Sequence, residues 1–223
     1  MTYDDPGVIP MAQRWHKAEN DYRGILALDE GPQLSIAVII PAHQAPDVLE
    51  RTLAGLATQE GARPTEVCIV DDDSPVPLDS IVASFSDRLN VRYLRRSFEG
   101  FGAGPGRNLG VAETSSDLLL FLDSDCIPDR GLLAAHARWH RRVENAVVVG
   151  SRIDVDASGF VAADVDAAGV APESMGLAVN PWEEVESGDW RPEFMRKNRR
   201  LVIDDTAYRA ALSNNLSMGR QTF

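Results

Sequence analysis

An α/β fold with a mostly parallel central sheet covered by helices is predicted by three features of this 223-residue chain. Short apolar runs alternate with amphipathic segments, the runs are β-rich and too continuous to be half-exposed, and several end in acidic residues. Alternation of this kind is what a sheet with helical crossovers requires.

The first run, "LSIAVIIPA" from Leu34, reads as a strand buried on both faces and stopped by Pro41. "APDVLERTLAGLATQ" follows with Val48, Leu49, Leu53 and Leu56 at helical spacing, and Pro46 stands at the start, where its missing N–H does no harm. "TEVCIVDDDS" repeats the form of a strand ending in acids, and "PLDSIVASFSD" is a second helix. "VRYLRR" is a short strand, "GAGPGRNLGVAETS" a helix led by glycines, and "DLLLFLDSD" another buried strand. A further helix, "RGLLAAHARWHRRV", and a fifth strand, "NAVVVGSRI", complete the alternation, and "YRAALSNNLSMGRQTF" reads as a returning strand. The organisation expected is an N-terminal arm over 1–33, a core over 34–150, and an insertion with the start of a further region over 151–223.

Composition narrows the function. A net charge of −12 argues against a protein that grips nucleic acid through a broad basic face. No apolar run approaches the roughly 20 residues of a membrane-spanning helix, and the N-terminus lacks the form of a secretory signal. Cys68 and Cys126 read as small buried thiols rather than a disulfide, and a cytoplasmic setting, with peripheral membrane contact left open, is the expectation.

Ligands of open parallel sheets bind outside the carboxyl ends of the strands. Three clusters fall at such ends: "PAHQ", then Asp71, Asp72 and Asp73, then Asp123 and Asp125. Carboxylates crowded into one cleft repel unless a cation joins them, and hard oxygen ligands in an incomplete shell suit Mg²⁺ or Mn²⁺. A lone Asp-x-Asp is weak, since loops are rich in Asp for turn and capping reasons, but two acidic clusters at strand ends strengthen the reading. "GFGAGPG" is not by itself a dinucleotide fingerprint. His43, His136 and His140 show no metal-ligand spacing with the acidic pair and read as surface or helix-packing residues.

In that order and at the usual separations, "SIAVIIPAHQAPDVLERTLAGLATQ", "EVCIVDDDSP", "GRNLG" and "DLLLFLDSDCIP" resemble the nucleotide-binding half of the family 2 glycosyltransferases. Over about residues 34–150 the likeness is dense, and it resumes weakly at "SNNLSMGR". It implies a GT-A fold, which is Rossmann-like, with an Asp-x-Asp metal motif. It further implies that Pro41 and Ala42 wall the base, that Asp71 and Asp72 hydrogen-bond base or ribose, and that Arg107 and Asn108 stand near the donor. Asp125 is the implied ligand of Mn²⁺ or Mg²⁺, and Asp123 the implied ribose contact or partner behind it. The donor so implied is a UDP-sugar, and the acceptor a saccharide, lipid or small molecule attacked with inversion.

Two departures stand out. Asp73 occupies a position where the family commonly has Gly or Asn. The family's general base follows the Asn-x-Ser segment, whereas this sequence reaches Phe223 first, so the base is expected outside this chain; Asp204 and Asp205 precede that segment and read as loop residues. Trp182 and Trp190, with Arg196, Lys197, Arg199 and Arg200, could approach an acceptor or diphosphate, against the plainer reading of a packed insertion. The alternatives are a donor-binding module without transfer activity and a nucleotidyltransferase, whose Gly-rich basic signature "PAHQAPD" lacks.

Overall fold

The computed structural model describes residues 31–97, 102–143, 145–152, 157, 159–168 and 213–223. Most of the N-terminal arm, the tryptophans and basic residues of the insertion, Asp204, Asp205 and the "YRAAL" start of the returning strand lie outside these residues.

Six strands form one sheet: β1 (Ile36–Ala42), β2 (Glu66–Asp72), β3 (Val91–Arg96), β4 (Leu118–Leu122), β5 (Val147–Val149) and β6 (Asn215–Gly219). Their spatial order is β3-β2-β1-β4-β6-β5. The first four are parallel, and β6 runs antiparallel to both β4 and β5. The sheet is mixed α/β and mostly parallel, the GT-A arrangement expected.

The helices are α1 (Pro46–Ala57), α2 (Asp79–Ser84), α3 (Ala103–Ala112), α4 (Leu132–His140) and α5 (Ala162–Ala168). Period-two alternation sends successive residues of a strand to opposite faces. In β1, Ile36, Val38 and Ile40 join Leu49, Leu53 and Leu56 of α1 and Leu133 and Ala137 of α4 on one face. Ala37 and Ile39 join Cys68, Val70, Leu119, Phe121 and Val111 of α3 on the other. Because β1 carries side chains into both clusters, it has no polar face and reads as a continuous apolar run.

Two differences from the expected organisation have physical causes. The fifth strand shrinks to three residues and is partly exposed at the sheet edge, where one neighbour supplies its pairing. The returning strand inserts between β4 and β5, so the last two pairings of the sheet are antiparallel. Both cysteines are free thiols, and burial pushes Cys68 up to about 11 and Cys126 up to about 12, the latter helped by the Asp125 and Asp123 charges.

Candidate active site

The strand order puts β1 between β2 and β4: the chain runs outward from β1 through β2 to β3 and then crosses back to β4 on the other side of β1. A crevice at such a reversal is where open α/β sheets hold ligands. Ala42 pairs with Asp71 across β1 and β2, and Asp71 and Asp72 pair with Arg95 and Arg96 across β2 and β3. Ile39 pairs with Phe121, which brings Pro41 and Asp123 level two residues further on. The three clusters thus end on one rim.

Asp71 and Asp72 are adjacent but do different work. Asp71 is wholly buried, and its carboxylate accepts from the Ser74 N–H at 2.8 Å, the Leu78 N–H at 3.3 Å and the Tyr93 hydroxyl at 2.5 Å. Burial alone would raise its pKa; the hydrogen bonds from Ser74, Tyr93 and Leu78 outweigh it and hold the group below the ordinary Asp value. As placed, Asp71 shapes the turn after β2 from beneath. Asp72, also buried, accepts from Arg96 Nη1 at 2.5 Å, and the same nitrogen donates to the Gly102 carbonyl at 3.2 Å. A Cβ on Gly102 would lie 1.7 Å from Asp72 Oδ2, so only glycine lets the start of α3 come this close.

Asp73 sits at φ 59°, a left-handed conformation that Gly and Asn favour and Asp tolerates. The family departure therefore keeps the turn, and Arg95 pairs with the carboxylate at 2.9 Å. Asp73→Val is expected to lower stability by about 1–2 kcal/mol, because a β-branched residue is strained there, whereas Asp73→Asn stays within about 0.5 kcal/mol; thermal unfolding checks both.

At the other side of the crevice, Arg107 of α3 donates to Asp123 Oδ1 at 2.5 Å, and its side chain is only 15% exposed. Arg107 Nε is buried with no hydrogen-bond partner among the described residues. Asn108 is exposed on the next position of α3, and Pro41 packs near Gly106. Asp125 is exposed, and the contact its carboxylate makes among the described residues is a long one, 3.7 Å, from the Cys126 thiol. The backbone between the two acids is clamped: buried Thr52 of α1 donates to the Ser124 carbonyl at 2.8 Å, and the Asp123 N–H donates to the Asn214 carbonyl at 3.4 Å. Gln59 ties the loop beyond, donating to the Asp129 carbonyl and accepting from the Leu133 N–H.

No group of three or more His, Cys, Asp or Glu arranged for a metal occurs among the described residues. Mg²⁺ and Mn²⁺ do not require one, because one or two carboxylates suffice when phosphate and water oxygens fill the shell. With Asp123 engaged by Arg107, Asp125 is the carboxylate whose oxygens are open to such an ion.

Several residues here escaped the sequence reading. Arg96, Gly102, Thr52 and Gln59 carry no motif; for Arg96 the available signal was a basic residue at the end of the strand next to the acidic one. His43 is exposed, as expected of a surface histidine, yet its Nδ1–H reaches the Asp72 carbonyl at 2.7 Å and joins the ends of β1 and β2. His136 is buried and His140 partly so, packed between α4 and β6.

A mostly parallel sheet with its reversal point beside β1, acids on the rim and Arg107 reaching them from α3 form a crevice of the kind in which open α/β sheets hold ligands. The family model described as glycosyl transferase family 2 matches residues 37–210, and the chain belongs to that family. It is 25% identical over 213 residues to a hyaluronan synthase of Pasteurella multocida, covering 93% of this chain and 22% of that protein. To a validoxylamine A glucosyltransferase of Streptomyces hygroscopicus it is 35% identical over 107 residues, 46% of this chain and 25% of the relative. The chain thus spans a quarter or less of the length of these two relatives. Among solved structures, a mycobacterial protein aligns over 98% of this chain and 59% of its own with a TM-score of 0.51 and 14% identity, a likeness of fold alone.

Proposed function

We propose that the rim binds a nucleotide-sugar, a UDP-sugar in the first instance, and transfers its sugar with inversion to an acceptor hydroxyl. The observation that carries this reading is the pairing of Arg107, whose buried Nε has no partner among the described residues, to Asp123 directly beside the exposed carboxylate of Asp125. A cationic group and an open acid side by side suit a diphosphate bridged to a divalent ion.

On this reading residues 34–150 form the donor-binding part. Pro41 and Ala42 wall the base, Asp72 and the turn held by Asp71 meet base and ribose, and Asp123 and Asn108 meet the donor beside Arg107. Asp125 would hold Mn²⁺ or Mg²⁺, which when bound supplies neutralising charge for the leaving diphosphate. Arg107 adds a preorganised charge where the leaving group's charge develops, and the carbonyl clamp from Thr52 keeps Asp125 aimed without reorganisation. Similarity to a hyaluronan synthase over 93% of the chain favours a saccharide as acceptor. Among the described residues no helix is long and apolar enough to cross a membrane.

Competition calorimetry with UDP, GDP, ADP and CMP in Mn²⁺ buffer tests the nucleotide class. UDP is expected to bind at least tenfold tighter than the purine nucleotides. Equal affinity for all four would remove base selection by the β1 and β2 ends, and tighter GDP binding would replace uridine with guanosine.

A further inference from the structure

A second polar cluster lies behind the rim, between α4 and β6. His136 Nδ1 is 2.7 Å from Ser217 Oγ, and His140 Nε2 is 2.8 Å from the same oxygen. His136 Nε2 is 2.9 Å from Asn215 Oδ1, and Asn215 Nδ2 donates to the Ser151 carbonyl at 3.1 Å. His136 is 3% exposed, Ser217 0% and Asn215 8%.

The direction of every bond follows from the last one. A carbonyl only accepts, so the Asn215 amide nitrogen faces Ser151 and its oxygen faces His136. His136 Nε2 must then be the donor, which in the neutral ring leaves Nδ1 as acceptor. Ser217 therefore gives its proton to His136 Nδ1, and its oxygen accepts from His140 Nε2–H. The order is His140 to Ser217 to His136 to Asn215 to the Ser151 carbonyl, with every donor aimed at an acceptor. Gly150 permits the closeness, since a Cβ there would lie 2.2 Å from Asn215 Nδ2.

This chain of bonds grips the strand that touches the acidic rim. Leu122 pairs with Asn215, and Asn214 supplies the carbonyl that holds the Asp123 N–H. We propose that His140, Ser217, His136 and Asn215 are positioning residues of the donor site, a one-directional hydrogen-bond relay that fixes β6 and through it the backbone of Asp123. The proposal rests on the donor-site reading above, and its geometry is independent of it.

The relay demands neutral rings. A proton added to His136 Nδ1 would confront Ser217 with two donors and strand its own hydrogen in a buried site. Burial lowers the pKa of His136 against the opposing pull of the Asn215 bond and the Asp129 charge, and lowers that of His140 to about 4, with His136 adding to the effect. Unfolded histidines take up protons below about pH 6.5, the folded rings only at lower pH and His140 near 4, so the relay's contribution is complete above about pH 6.5 and fades as pH falls below it.

The test uses the full chain labelled with ¹⁵N-histidine and followed by NMR, together with Ser217→Ala, His136→Gln and His136→Leu. Both rings are expected as Nε2–H tautomers, unchanged between pH 8 and pH 6. Ser217→Ala is expected to speed hydrogen exchange of the Asp123 amide at least tenfold and, if UDP binds with Mn²⁺, to weaken that binding about tenfold. His136→Gln, which keeps a donor toward Asn215, should hold affinity and amide protection within about threefold, and His136→Leu should not. An Nδ1–H tautomer at either ring, or an Asp123 amide as protected in Ser217→Ala as in the native chain, overturns the relay. Failure of the native chain to bind UDP with the amide effect intact would count against the donor reading alone.

Discussion

Asp71→Ala is expected to lower stability by about 3–5 kcal/mol, on the order of 10 °C in Tm for a domain of this size. The carboxylate is wholly buried and accepts from two backbone N–H groups and the Tyr93 hydroxyl. Its removal strands two buried backbone donors, each costing about 1–3 kcal/mol when unsatisfied, and takes its acceptor from the partly buried Tyr93 hydroxyl. Asn in its place keeps one acceptor and turns an amide toward donors, so Asp71→Asn should recover less than half of the loss. The pH dependence carries the same signature. A carboxyl held below its ordinary value stabilises the fold fully above the unfolded pKa of about 3.9, and that stability disappears as pH falls through the folded value. Thermal scans between pH 6 and pH 3 should therefore show a shallower acid decline in Asp71→Ala than in the native chain; parallel declines would mean that Asp71 is not the carboxyl responsible.

Gly102→Ala is the second large effect, and it separates site from scaffold. The added Cβ would stand 1.7 Å from Asp72 Oδ2 and 2.3 Å from Arg96 Nη1, so the ion pair must open or the start of α3 must retreat. Both partners are mostly buried, with side-chain exposures of 9% and 17%. Breaking a buried pair costs about 3–5 kcal/mol when a charge is left behind, and partial exposure of Arg96 puts this one at the lower end. Displacement of α3 would also move Arg107 from Asp123, so UDP affinity should fall at least tenfold. Gly104→Ala is the matched control: a Cβ there meets nothing within 4 Å, and in a helix Ala is favoured over Gly by about 0.5–1 kcal/mol. Native-like melting of Gly102→Ala would show that the Asp72 and Arg96 contact does not organise the start of α3.

The parts legible in the sequence were those fixed by local pattern. β1, β2 and β4 are buried on both faces, so each reads as an unbroken apolar run, and α1 announces itself through Pro46 and the spacing of Leu49, Leu53 and Leu56. The acidic ends of β2 and β4 were legible for the same reason, since a run that stops in aspartate marks a strand's end. What pattern alone left open was decided by distant partners. Nothing local distinguishes Asp71 from Asp72; the first is taken by Tyr93 and the turn, the second by Arg96 and its close approach to Gly102. The place of β6 between β4 and β5 depends on pairings about 100 and 70 residues away in sequence, and with it the environment of His136 and His140. These histidines carried no motif because their partners, Ser217 and Asn215, belong to a strand that only the folded sheet brings to them.

The most direct test of the donor site is titration calorimetry of UDP into the native chain and into Asp125→Ala, each with Mn²⁺ and with EDTA. Metal-dependent binding is expected in the native chain, with at least a tenfold loss in EDTA and a comparable loss in Asp125→Ala while its melting temperature stays within about 2 °C. UDP bound equally well by Asp125→Ala, or without regard to metal, would contradict the placement of a diphosphate and its cation at the end of β4.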